Sequence, residues 1–301
     1  MLKEIWRKIM NKHTILIIGA AGNNGIATIE ALVNKQQSKD TIRAAVRSAD
    51  KALELEQKYP SIETVIIDLD KPETLPAAYH GVTKVFMIPG NVENRKAHAK
   101  NAIDAAVKVG TVEQFLFYSV VGAEYEAILF ARQFRAGEKY LEQSGLNWTH
   151  LRTIFFQDNF FGWADGVKQG GLYLGIRDGS FAPLNVADIG EMAANILITS
   201  GHDNKAYNIT GPKLLSGEDM AKVFSDVTGK EVAYVSPTQE QTLDSLLSTG
   251  WPEWQAKGML ELFEVFATNQ AAVVSPDGEH LLGRPMTELK GFLTNNKAAF
   301  V

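Results

Sequence analysis

The feature that most constrains the fold is an apolar run that leads directly into three glycines spaced three residues apart. Residues 14–18 read Thr-Ile-Leu-Ile-Ile, which is typical of a strand buried on both faces. After the glycines, apolar residues recur with the 3.6-residue period of an amphipathic helix. This order of strand, turn and helix N-terminus favours a dinucleotide pyrophosphate site, and the alternative is a turn that only packs closely. The residues assigned to the site are Gly19, Gly22, Asn23, Asn24 and Gly25.

Further strand patterns alternate with helical patterns along the first half of the chain. Such alternation produces right-handed βαβ units, in which helices cover both faces of a parallel sheet. The predicted class is therefore α/β, with a Rossmann-like doubly wound parallel sheet and a smaller helix-rich C-terminal substrate domain. The predicted strands after the first are residues 41–46, 64–69, 84–88, 115–119 and 148–152.

Composition excludes several classes of function. The net charge is −5 without a basic block, which argues against nucleic acid as a partner. No apolar run is long enough to span a membrane, so we expect no membrane partner. There are no cysteines, and the six histidines lack metal-ligand spacing, so no metal site is predicted. The expected partner is a small-molecule substrate in a cytoplasmic protein of undetermined oligomeric state.

The end of the second predicted strand indicates which dinucleotide is bound. Arg47 stands there, and the first carboxylate after it is Asp50, whereas NAD-binding proteins place an acidic residue near this position. An arginine suits a 2′-phosphate, so NADP(H) is predicted, although a surface arginine at a strand end is also common. Other strand ends would contribute the adenine edge and the nicotinamide side. These further cofactor residues are Asp68, Leu69, Ile88, Pro89 and Gly90.

A catalytic acid is harder to identify than a cofactor site. None of the eight tyrosines has a lysine four residues later, the spacing that lowers a phenol pKa on a helix. Tyr118 and Ser119 end the fifth strand, where either a hydroxyl beside the nicotinamide or an inward strand residue is expected. Loss of a general acid costs roughly 10²–10⁴ in rate, which matters less for quinones or cationic dyes than for simple ketones. The sequence therefore favours easily reduced acceptors, or binding without turnover.

Aromatic residues are concentrated after Thr153, where the βαβ rhythm ends. This density suits either a pocket wall or an ordinary core. Asp188 is predicted to cap a helix, and Ser216 with Asp219 resembles a capping box.

These motifs together resemble the NmrA-like atypical short-chain dehydrogenases, and in particular their triphenylmethane-dye and NADPH-dependent quinone reductases. The resemblance implies an NADP(H)-binding Rossmann domain and a substrate part to which Phe155, Phe156 and Asn159 contribute. Many members have Lys or His where this chain has Phe134, and the family also includes redox sensors. The matching segments are residues 19–25, 46–47, 117–119, 138–141, 144–149, 151–152, 158–160, 188–189, 201–209 and 283–285.

We therefore predict an NADPH-dependent oxidoreductase that transfers hydride to a quinone or dye-like acceptor, or alternatively an NADP(H)-binding redox sensor without turnover. The domain boundaries follow from the same patterns. Residues 12–155 form the cofactor domain, and residues 185–212 return to it. Residues 156–184 and 213–301 form the substrate-binding part, and residues 1–11 are a basic leader.

Overall fold

The structure, a computed structural model, describes residues 13–35 and 40–301, so the predicted leader lies outside the described residues. None of the helices in these ranges combines the length and the apolar character needed to cross a membrane. The strands are β1 (Thr14–Ile18), β2 (Thr41–Val46), β3 (Glu63–Ile66), β4 (Lys84–Met87), β5 (Gln114–Val120), β6 (Trp148–Thr153), β7 (Gly171–Tyr173), β8 (Ser180–Phe181), β9 (Lys205–Ile209), β10 (Leu215–Ser216) and β11 (Ala233–Val235). The helices are α1 (Asn23–Asn34), α2 (Ala49–Lys58), α3 (Leu75–Ala78), α4 (Arg95–Val109), α5 (Leu129–Glu142), α6 (Ala164–Lys168), α7 (Val186–Ile198), α8 (Gly217–Thr228), α9 (Gln239–Ser248), α10 (Glu253–Ala267), α11 (Asp277–Leu282) and α12 (Leu289–Asn295).

Seven strands form one sheet in the order β3-β2-β1-β4-β5-β6-β9. The pairs β1–β2, β1–β4, β2–β3 and β4–β5 run parallel. The order of strands reverses between β1 and β4, and open α/β sheets bind ligands beyond the carboxyl ends of the strands at such a reversal. The predicted Rossmann-like fold is confirmed.

The aliphatic run at the start of the chain explains why β1 lies in the middle of this sheet. Ile15, Leu16 and Ile17 are completely buried, and Ile18 is 2% exposed. Full burial of such a side chain contributes about 1.5–3 kcal/mol. A central strand of the sheet is covered on both faces, so an uninterrupted apolar run such as this one favours a central position.

The predicted third strand is longer than the observed one. β3 ends at Ile66, and Asp68 and Leu69 lie in the turn that follows. The backbone N–H of Asp68 donates to the Oγ1 atom of Thr74 at 3.0 Å, which leaves it outside the strand ladder. Local side-chain bonding therefore ends the strand before its apolar pattern ends.

Contacts between residues divide the chain into two compact units. The first includes the described part of residues 1–119 together with Gln133–Leu151 and Ile189–Tyr207. The second includes Val120–Arg132, Arg152–Asp188 and Asn208–Val301. Within the second unit, β8 pairs antiparallel with β10, and β7 pairs parallel with β11.

Two helix starts test the capping predictions. The Ser216–Asp219 capping box at α8 is confirmed, because each side chain bonds the backbone of the other residue. The prediction that Asp188 caps a helix is wrong, since α7 begins two residues earlier and the side chain of Asn185 accepts from the N–H of Ala187 at 2.9 Å. The Asp188 carboxylate instead accepts from the backbone N–H of Thr287 at 2.7 Å.

Candidate active site

The glycine turn between β1 and α1 is shaped by two close approaches. Gly19 has φ of +83°, and a Cβ there would lie 2.6 Å from the carbonyl oxygen of Ile88, which follows β4. A Cβ on Gly25 would lie 2.4 Å from the carbonyl oxygen of Gly19. Neither approach leaves room for a side chain, so the chain itself requires glycine at both positions.

The outer part of the turn has features that the fold alone does not require. A Cβ on Gly22 would meet the carbonyl oxygen of Gly19 only at 3.4 Å, an ordinary contact. α1 begins beyond Gly22 without a side-chain cap or an acidic residue in its first turn. Asn24 is buried, and its Oδ1 has no hydrogen-bond partner among the described residues. The helix N-terminus suits an anion, and Asn24 suits a donor group, and a dinucleotide offers both.

Arg47 is exposed immediately after β2, near the turn that follows β3. Hydrogen bonds from His98 and Asn94 lower the pKa of Asp70, and the positive charge of Arg47 makes a smaller contribution in the same direction. His98 Nε2 lies 2.8 Å and Asn94 Nδ2 lies 2.7 Å from Oδ1 of Asp70. The predicted 2′-phosphate residue and the predicted adenine edge therefore lie at the same rim of the sheet.

The adenine-edge turn is fixed by its own polar groups. Oδ1 of Asp68 accepts from the N–H of Asp70 at 3.0 Å, which closes a short side-chain turn. Asn101 donates from Nδ2 to the carbonyl oxygen of Leu69 at 2.8 Å. Asp68 and Leu69 remain half-buried, so both keep surface that a ligand can contact.

A buried arginine holds the loop after β4, where residues 88–90 were predicted to flank the nicotinamide. Arg95, at the start of α4, is 1% exposed. Its Nε donates to the carbonyl oxygen of Gly90 at 3.1 Å, and its Nη1 and Nη2 donate to Gln133 Oε1 at 2.5 Å and Asn91 Oδ1 at 3.2 Å. Within the loop, Ile88 is half-buried, Pro89 is buried and Gly90 is exposed.

The same arginine is linked through the Phe134 ring to Tyr118, one of the two predicted catalytic residues. Tyr118 is 6% exposed and Ser119 is fully buried. The rings of Tyr118 and Phe134 meet edge to face, with centroids 6.0 Å apart. The Arg95 guanidinium carbon lies 4.3 Å from the centroid of the Phe134 ring. Burial lowers the pKa of Arg95 to about 10, and the negative charge of an ionised Tyr118 opposes that change.

The predicted substrate residues lie in the second unit and differ in exposure. Phe155 is 7% exposed and belongs to an aromatic core. Phe156 is half-buried, bridged by its backbone to Leu184, and Asn159 is exposed. Phe156 and Asn159 are therefore the two with accessible surface. The rings around Phe155 are those of Phe160, Trp163, Phe181, Phe263 and Phe266.

A cavity of about 440 Å³ also lies in the second unit. Its walls include Leu260, Phe263 and Tyr234, together with the ion pair that Arg177 forms with Glu264 at 2.8 Å. None of the three predicted substrate residues lines this cavity.

One cluster in the described residues has the composition of a metal site but not its charge balance. Ligand atoms of Glu138, Glu142 and His150 lie within 4.8 Å of one another. However, Arg135 donates to Glu138 at 2.9 Å and to Glu142 at 2.5 Å. Because the Arg135 guanidinium already pairs with both carboxylates and His150 contacts Glu142, we interpret the cluster as an ion network that joins α5 to β6.

Sequence reasoning did not identify Arg95 or the pair of His98 and Asp70. One signal was present, since Arg95 follows a Pro-Gly loop at a predicted strand end and begins a helical pattern. A charged residue at such a position is usually exposed, whereas Arg95 is surrounded by the loop residues Gly90 and Asn91 and by Gln133 and Phe134 of α5.

The chain is similar in sequence and in fold to several known proteins. The NmrA-like family model matches residues 11–292. An NAD(P)H azoreductase from Xenophilus azovorans is 31% identical over 288 residues, which cover 95% of this chain and 99% of the relative. Quinone oxidoreductase 2 from Escherichia coli strain K12 is 28% identical, covering 91% of this chain and 96% of the relative. The triphenylmethane reductase of Citrobacter sp., solved as a complex with NADP(H), has a TM-score of 0.85 at 26% identity and covers 93% of this chain and 99% of that one.

Proposed function

Because the chain belongs to the NmrA-like family, we propose that it is an NADPH-dependent oxidoreductase that reduces planar, easily reduced acceptors such as quinones or cationic dyes. The observation that carries the proposal is the glycine turn, where Gly22 leaves space at an uncapped helix N-terminus and Asn24 presents a buried, unsatisfied oxygen. The azoreductase, the quinone oxidoreductase and the NADP(H)-bound triphenylmethane reductase support it.

Each part of the dinucleotide has its own group of residues in this proposal. The turn from Gly19 to Gly25 holds the pyrophosphate, and Arg47 pairs with the 2′-phosphate. The turn at Asp68 and Leu69 receives the adenine, and the loop at residues 88–90 flanks the nicotinamide. When bound, NADPH supplies the hydride.

The chain's own contribution to the reaction is orientation and proton supply. Tyr118 or Ser119, at the end of β5, provides a hydroxyl proton to an acceptor that becomes anionic on reduction. Phe156 and Asn159 contact the acceptor, and Phe155 supports them from the core. Residues 12–155 with 185–212 form the cofactor-binding domain, and residues 156–184 with 213–301 bind the substrate.

The proposal is tested by the absorbance of NADPH in the presence of the protein and a panel of quinones and triphenylmethane dyes. We expect oxidation well above the rate without protein for at least some acceptors. Calorimetric titration of NADPH in the same samples is the control for binding. Tight NADPH binding with no oxidation by any acceptor would instead support the second candidate, a redox-sensing regulator without turnover, which the missing Tyr–Lys pair favours.

Substitution of Arg47 tests the choice of dinucleotide. We expect Arg47→Ala to weaken binding of NADPH by about tenfold or more, because a charge-assisted bidentate contact to phosphate is lost, and to leave NADH affinity nearly unchanged. Arg43→Ala is the control, because it removes an arginine from within β2, four residues before Arg47. Equal losses for both dinucleotides would refute the 2′-phosphate assignment.

A further inference from the structure

Arg95, Phe134 and Tyr118 form a continuous row of contacts where α4, α5 and β5 meet. We propose that Arg95 is a positioning residue whose buried positive charge makes Tyr118 the proton donor to the anionic product of quinone reduction. This inference rests on the proposed function, because it concerns the acceptor half of the same reaction.

The row is fixed in place by contacts on both sides. Three acceptor oxygens, on Gly90, Asn91 and Gln133, hold the guanidinium of Arg95. Its guanidinium carbon lies over the Phe134 ring, 4.3 Å from the ring centroid, and the Phe134 ring meets the ring of Tyr118 edge to face with centroids 6.0 Å apart. A guanidinium held this way keeps its charge at a constant position relative to the phenol.

The charges in this row favour proton release by Tyr118. Arg95 from α4 and the Phe134 ring from α5 both act on Tyr118, the first through its charge and the second through a ring contact. An ionised Tyr118 raises the pKa of Arg95, so by reciprocity the positive Arg95 stabilises the Tyr118 phenolate. Burial strengthens this attraction, because water screens it less. Arg95 thus supplies the positive charge that a lysine four residues after the tyrosine would otherwise provide.

The two acceptor classes differ in their need for this proton. A neutral quinone that gains a hydride, with its two electrons, becomes a hydroquinone monoanion. The Tyr118 O–H bond then breaks, its proton forms the second hydroxyl of the hydroquinone, and the phenolate is reprotonated from solvent. In a cationic triphenylmethane dye, the hydride forms a C–H bond at the central carbon and cancels the positive charge. No proton is required for the dye.

The ratio of kcat with a quinone to kcat with a cationic dye is therefore the diagnostic quantity. We expect Tyr118→Phe to lower this ratio by roughly 10²–10⁴, the usual contribution of a general acid. Arg95→Met should lower it by about 10–100-fold, and Arg95→Lys should restore most of it because the charge is kept. A merely structural role would reduce both rates together and leave the ratio unchanged, which would overturn the proposal.

A second measurement uses the protein without cofactor or acceptor. Tyrosines carrying ¹³C at Cζ are followed by NMR during a pH titration, and the Tyr118 resonance is the one missing in Tyr118→Phe. In Arg95→Met we expect this resonance to titrate at higher pH than in the wild type, and in Arg95→Lys close to the wild type. Arg43→Met, which removes an arginine from β2, is the matched control and should not move it.

An unchanged Tyr118 titration in folded Arg95→Met would refute the inference, and retained resonances of the other tyrosines report that the variant is folded. A different result would refute the proposed function itself: a wild-type protein that binds NADPH but reduces neither the quinone nor the dye. In that case the NMR titration still decides whether Arg95 acts on Tyr118.

Discussion

At the scale of single residues, the three glycines of one motif are required for different reasons. Gly19 and Gly25 have no room for a side chain within the chain itself. Gly22 does have room, and its φ of −84° is ordinary for any residue. Folding therefore explains the first two glycines, and we propose that the approach of a ligand explains Gly22.

This difference predicts separate effects on stability and on binding. Gly22→Ala should change the free energy of unfolding by less than about 1 kcal/mol and weaken NADPH binding by about tenfold or more, because its methyl group enters the space of the pyrophosphate. Denaturant titration and calorimetry measure the two quantities.

Gly25→Ala is the matched control, and overpacking should lower its stability by about 1–3 kcal/mol. A Gly22→Ala variant that binds NADPH as tightly as the wild type would show that the turn does not hold the pyrophosphate.

The sequence predicted these glycines because their spacing is a local pattern. It did not predict Arg95, because the type of residue does not report burial, and the oxygens that hold Arg95 include Gln133, which is 38 positions away. Tyr118 was predicted as a catalytic candidate only because it lies at the end of the fifth predicted strand.

At the scale of elements, the ion network of Arg135, Glu138, Glu142 and His150 joins α5 to β6. Glu138 is fully buried, so its carboxylate depends on the guanidinium for compensation. Burial would raise the pKa of Glu142, but hydrogen bonds and charge from Arg135 and His150 lower it overall.

Arg135→Met tests this network. At neutral pH we expect the free energy of unfolding to fall by about 3–5 kcal/mol, because the buried Glu138 and the half-buried Glu142 lose a compensating charge. The lowered pKa of Glu142 contributes stability to the wild type above the reference value of 4.5, and that contribution is lost as pH falls through the folded-state pKa. The deficit of the variant should therefore narrow in acid.

Denaturant titrations at several pH values measure this deficit. Arg132→Met, on the exposed side of the same helix, is the control and should cost less than about 1 kcal/mol. A deficit that is independent of pH would contradict the electrostatic explanation.

Element boundaries show the limit of periodicity as a guide. The observed β2 coincides with the predicted strand, β5 is one residue longer than predicted at each end, and β6 is one residue longer at its C-terminal end. The two clear errors, the end of β3 and the start of α7, both involve side chains that bond nearby backbone N–H groups, those of Thr74 and Asn185. Hydrophobic patterns do not record such bonds.

At the scale of the whole molecule, the α/β class was predictable because strand and helix periods alternate over about half of the chain. The fold of the second unit was less predictable, because its core is built from aromatic rings that lie far apart in the sequence, such as those of Phe155 and Phe266. The proposed reduction by hydride from NADPH involves the molecule as a whole.

Direct hydride transfer is tested by following deuterium from NADPH into the reduced acceptor. The protein is incubated with a cationic triphenylmethane dye and NADPH deuterated at C4 of the nicotinamide, using each of the two stereospecifically labelled forms in turn. We predict that one form gives a reduced dye with a single deuterium at its central carbon, detected by mass spectrometry. Unlabelled reduced dye from both forms, or no reduced dye despite NADPH binding, would contradict direct hydride transfer.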